Sequence, residues 1–97
     1  MFSSNIEGAV CYEVKTYRYV VAGRTMAEFE ILIFENGQIG SQGKILRTGE
    51  GFSPAKIYPT IEDAVQEMIN IIEEKISNDE WVRKTINVLK RDDNQVV

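Results

Sequence analysis

Histidine is missing from the 97 residues, and cysteine occurs once, at Cys11. An internal disulfide, a zinc site built from Cys and His, and the side chain most often used as a general base near neutral pH are therefore out of reach. No apolar run approaches the roughly 20 residues that cross a bilayer as a helix. The opening stretch, MFSSNIEGAV, has neither the basic segment nor the apolar core of a secretory signal, so the expectation is a cytoplasmic protein with no membrane attachment. With no repeat, linker or low-complexity segment either, the chain is expected to form one domain over residues 1–97, large enough for a single core.

What is present is an ordinary globular composition, 43% hydrophobic and 27% charged, with a net charge of −4 that is unevenly placed. Residues 1–58 balance, and the whole acidic excess lies in residues 59–97. A field of this sign repels nucleic acid and anionic lipid. It disfavours a nucleic-acid partner without removing a local basic face in the first half.

Along the chain, alternation at Tyr12, Val14 and then Tyr17, Tyr19, Val21 predicts an extended segment over residues 10–21, with a bulge near Thr16 where the phase changes. Residues 22–25 (AGRT) predict a hairpin turn. Phe29, Ile31 and Ile33 then alternate with Glu28, Glu30, Leu32 and Phe34, and the consecutive apolar residues 31–34 suggest a central strand covered on both faces at that end. Asn36-Gly37 predicts a type I′ turn. A third strand follows over residues 38–46, with Gly40 and Gly43 marking a bulge or a close backbone approach. Residues 47–54 form the one loop-rich stretch, and residues 55–58 predict a short edge strand.

Thr60, with Asp63 three residues on, caps a helix whose apolar face is Ile61, Ala64, Val65, Met68, Ile71, Ile72 and Ile76. Ser77 and Glu80 predict a capping box for a second helix over residues 78–90, burying Trp81 or Val82 with Thr85, Ile86 and Leu89. Residues 91–97 read as a frayed tail. The expected fold is α+β: an antiparallel sheet of three or four strands packed on one long amphipathic helix, with a second C-terminal helix beside it.

The stretch FENGQIGSQGK resembles a phosphate-binding loop only superficially. Gly37 to Gly43 is one residue too long, Ile45 stands where a hydroxyl residue would hold magnesium, and strand rather than helix follows. Ser53-Pro54-Ala55-Lys56 matches a Ser-x-x-Lys pattern, but a strand-like Lys56 would point away from the serine, and the companion motifs are absent. Glu28 and Glu30 share a strand face at a spacing near that of a glycosidase pair, which is also what a solvated strand face requires. The pairs Glu73-Glu74, Asp79-Glu80 and Asp92-Asp93 fit no calcium loop. A loop surface of Arg24, Lys44, Arg47 and Lys56, with Phe52 among them, suits an acidic partner. Glu67 and Glu74 lie on an acidic helical face that offers a second surface. Trp81 reads as a helix-packing residue.

Asn36-Gly37-Gln38-Ile39-Gly40-Ser41-Gln42-Gly43, followed by Tyr58-Pro59-Thr60, Glu62, Ala64, Glu74-Lys75 and Trp81, resembles a degraded WGR domain over residues 17–81. That resemblance implies a small sheet-and-helix fold and an association with DNA processing. Asn36 replaces the naming tryptophan and Gln38 the arginine, so the residues expected to meet nucleic acid are missing.

Together these features suggest a small, acidic, non-enzymatic protein–protein interaction module, an adaptor or inhibitor whose acidic face could mimic nucleic acid, with no cofactor and no metal. The alternative is a degenerate WGR-like nucleic-acid-binding domain using the segment from Lys44 to Lys56. Free sheet edges leave room for a homodimer.

Overall fold

A computed structural model describes residues 5–95, with side chains through residue 88. The fold is α+β. Four strands, β1 (Tyr12–Val21), β2 (Arg24–Phe34), β3 (Ile39–Ile45) and β4 (Gly51–Phe52), form an antiparallel sheet in the order β1-β2-β3-β4, followed by helices α1 (Ile61–Ile76) and α2 (Glu80–Gln95).

Each connection follows from local chemistry. Ala22 and Gly23 both have positive φ, 48° and 79°, so the two-residue β1–β2 loop is the one with the type I′ signature. At the β2–β3 loop only Gly37 has positive φ. The Phe34 carbonyl accepts from Gly37 N, and Phe34 N donates to the Gln38 carbonyl, both at 2.9 Å. This is a three-residue loop with a glycine bulge rather than the expected type I′ turn: Asn36 does not take the positive φ that a type I′ turn requires of it, and its side chain accepts from Gln38 N at 3.0 Å. The β1 register is unbroken at Thr16 and shifts instead between Tyr19 and Val20, next to the tight turn it must accommodate.

The last strand also differs from expectation. It forms at Gly51–Phe52, while of residues 55–58 only Tyr58 joins the sheet, through an isolated bridge to Ile39. The β3–β4 loop closes through Ile45 N to the Glu50 carbonyl and Gly49 N to the Ile45 carbonyl, both at 2.8 Å.

Helix α1 starts as expected, with the Thr60 hydroxyl accepting from Asp63 N at 3.1 Å. Its buried stripe of Ala64, Met68, Ile72 and Ile76 packs on the sheet face bearing Ala27, Phe29, Ile31, Ile39 and Ile45. That face carries an aromatic row. Tyr17 stacks on Phe29 at 5.1 Å, and Gly43, paired with both Phe29 and Phe52, leaves room for the two rings.

The cap of α2 is Asp79 rather than Ser77. Asp79 Oδ1 accepts from Val82 N at 3.2 Å, whereas the Ser77 hydroxyl donates back to the Glu74 carbonyl at the end of α1. Val82 is buried, Trp81 and Thr85 are half-buried, and Ile86 is exposed; the Leu89 side chain lies outside the described ones. With no glycine or proline from residue 80 to 95, α2 continues through Gln95, past the expected start of the tail.

Candidate functional site

Both helices leave one face of the sheet uncovered. Because residues pair across the sheet on a common face, Tyr12 meets Phe34, Val14 meets Leu32, Thr16 meets Glu30 and Arg18 meets Glu28 on that outer side, with Gly40, Gln42 and Lys44 beyond them. The outer face divides into two halves by composition.

One half is polar. Thr16, Glu28, Glu30, Gln42, Lys44 and Ser53 line an open concavity of about 590 Å³. Glu28 lies 3.8 Å from Arg18 and pairs in register with Lys44, while Ser53 donates to the Ser41 carbonyl at 3.2 Å. The other half is apolar. Tyr12 is 45% and Val14 42% exposed, and both adjoin the half-buried Leu32 and Phe34. The Tyr12 and Phe34 rings sit 5.2 Å apart. Among the described residues the run at residues 31–34 is thus covered on one face only, since no described element lies over Leu32 and Phe34 as α1 does over Ile31.

The residues singled out from the sequence fall largely elsewhere, and most are engaged within the chain. The Arg47 guanidinium donates to both carboxylate oxygens of Asp79 at 2.9 Å, joining the β3–β4 loop to the cap of α2. Lys56 donates to Glu67 at 2.8 Å. Arg24 lies 5.0 Å above the Trp81 ring. Phe52 packs against the core beneath Lys75, which also donates to Glu50 at 2.7 Å. The loops and α1 therefore neutralise each other in both directions, a loop cation meeting a helix carboxylate at Lys56–Glu67 and a helix cation meeting a loop carboxylate at Lys75–Glu50. Lys44 and Glu74 make no ion pair among the described residues, and they lie on separate surfaces, Lys44 on the outer sheet face and Glu74 on α1.

These contacts set the local acidities. The Lys56 ammonium holds the Glu67 carboxyl below its ordinary range, with the Tyr58 hydroxyl adding to the effect, and the same carboxylate raises Lys56. Burial, then the nearby Glu67, pushes Tyr58 up; its hydroxyl lies beside Glu67 and Ser41 without completing a well-formed hydrogen bond. Tyr19 is raised by burial and by donating to Glu73 at 2.9 Å.

The apolar half of the outer face escaped the sequence reading although its signal was present. Tyr12 and Val14 share a parity, and Leu32 and Phe34 share the opposite face from Ile31 and Ile33. Which of the two faces the helix takes depends on α1, far along the chain. Among the described residues no helix is long and apolar enough to cross a membrane, and no group of three or more His, Cys, Asp or Glu side chains could hold a metal ion. Comparison with known protein families, with curated proteins and with solved structures finds no match.

Proposed function

We propose that this chain is a small, non-enzymatic protein–protein interaction module of the cytoplasm, an adaptor or inhibitor, and that it meets its partner through the uncovered sheet face. The supporting observation is the apolar patch of Tyr12, Val14, Leu32 and Phe34 beside a border of both charges, Arg18, Glu28, Glu30 and Lys44. A contact surface commonly has this layout: an apolar centre that excludes water and a charged rim that orients the partner. The complementary surface is a protein with its own apolar anchor and charges of both signs around it.

The test compares wild type with Leu32→Lys, which charges the patch without touching the β1 edge, and with Glu74→Lys on α1, in capture from host extract followed by binding of the purified partner. The expected result is a partner lost by at least tenfold in Leu32→Lys and kept by Glu74→Lys, with unchanged circular dichroism. Partner loss only in Glu74→Lys would move the surface to the acidic helix. Retained nucleic acid, released by salt and abolished in Lys44→Glu, would replace the reading with the nucleic-acid alternative.

A further inference from the structure

The open edge of β1 has a defined hydrogen-bonding phase. Phe34 N donates to Gln38 and Leu46 N donates to the Met26 carbonyl, so even-numbered β2 residues turn their backbone groups toward β3 and odd-numbered ones toward β1. Their β1 partners Glu13, Lys15 and Tyr17 are therefore bonded inward. The N–H and C=O groups of Tyr12, Val14, Thr16 and Arg18 point out along an edge that no described element pairs with. The edge is long enough to pair, for β1 is 10 residues long and free of proline, and what guards it is charge, Glu13, Lys15 and Arg18, which restricts the registers open to a second strand.

We infer that the occupant of this edge is a second copy of the same chain, joined as an antiparallel β1–β1 pair with its twofold axis at Val14. Charge selects the register. A twofold at Glu13, Lys15 or Arg18 would set that charge against itself, and one at Thr16 or Tyr17 would set no charge against its opposite. At Val14, Glu13 of each copy faces Lys15 of the other, in the non-hydrogen-bonded positions where cross-strand side chains approach most closely.

The hydrogen-bonded positions become Val14 against Val14 and Tyr12 against Thr16, giving about six new backbone bonds. Both copies keep α1 on the same side, and the two apolar patches of Tyr12, Val14, Leu32 and Phe34 merge across the axis. The pairing stands on the strand edge and its charges, and does not require the face reading above.

Sedimentation of the full 97-residue chain from low micromolar to millimolar concentration tests this. Wild type is expected to dimerise. Lys15→Glu and Glu13→Lys should each weaken the dimer roughly tenfold, and the double exchange of both should restore it to within about threefold. Val14→Pro, which breaks no backbone hydrogen bond within the sheet because the Val14 N–H points outward, should be monomeric with unchanged circular dichroism.

Wild type that stays monomeric throughout, a dimer indifferent to the single reversals, or a double exchange as weak as the singles each overturns the pairing. Leu32→Lys separates the two proposals, because it should lose the partner and keep the dimer. A wild-type monomer that still binds a partner through Leu32 defeats the pairing alone. A dimer with no Leu32-dependent partner defeats only the face reading.

Discussion

The β-carbon of Phe29 stands 2.8 Å from the place a β-carbon on Gly43 would occupy, and the Glu28 carbonyl and the Phe52 ring approach that place to 2.9 and 3.0 Å. Gly43 is thus the gap in β3 that lets Phe29 and Phe52 close over the strand beneath α1.

Gly43→Ala should therefore destabilise the domain by about 1–3 kcal/mol, because rings and backbone must shift together. Gly40 is the internal control: its added β-carbon meets only Phe34 at 3.6 Å, an ordinary contact. Gly40→Ala should stay within about 1 kcal/mol of wild type. Urea midpoints for the two variants check the contrast, and equal losses would contradict this packing.

Ala22 sits at φ 48° in the tight β1–β2 turn, where a side chain is strained. Ala22→Gly is expected to raise stability by roughly 0.5–1 kcal/mol, relief of the left-handed strain outweighing the added freedom of the unfolded chain. A lowered thermal midpoint would count against the turn geometry.

Helix α2 is held at its first turn. Asp79→Ala removes both the cap and the Arg47 contact and should cost about 1–2 kcal/mol, whereas Arg47→Met should cost no more than about 1 kcal/mol, since the guanidinium is half exposed. If Arg47→Met cost as much as Asp79→Ala, the ion pair rather than the cap would be the fastening.

Val82 is 4% exposed and Val88 54%. Val82→Ala is expected to lose about 1–3 kcal/mol and Val88→Ala less than about 0.5 kcal/mol. Hydrogen exchange should show the same gradient, with protection falling along α2 away from Val82.

Stability should fall at both extremes of pH for identifiable reasons. The Glu67 pKa is lowered in the folded state, so its contribution is present above the ordinary carboxylate value of 4.5 and is lost as pH falls through the folded value. Tyr19, Tyr58 and Lys56 are raised, so their contributions are complete below pH 10 and fade as pH rises through the folded values. The stability difference between wild type and Glu67→Gln, followed by chemical denaturation from pH 7 downward, should shrink to nothing on the acid side. A difference that stays constant would show that Lys56 does not hold that carboxylate.

Much of this architecture is set within a few residues of chain. The three-and-four spacing from Ile61 to Ile76 and the Thr60 cap define α1, because helix periodicity and capping are properties of neighbouring residues, and strand alternation at Phe29, Ile31 and Ile33 places β2 in the same way.

The outer limits of that logic appear wherever the partner is distant. Arg47 and Lys56 look like free cations in the sequence, yet Asp79 and Glu67 neutralise them across 32 and 11 residues. Asp79 looks like one of a pair of surface acids until its side chain turns to the Val82 amide. Leu32 and Phe34 read as core until α1, nearly 30 residues away, settles on the opposite face. A local pattern can state that a strand has two apolar faces. Only the packing of the finished sheet decides which one is left for water or for another protein, because a single amphipathic helix can cover one face and not both.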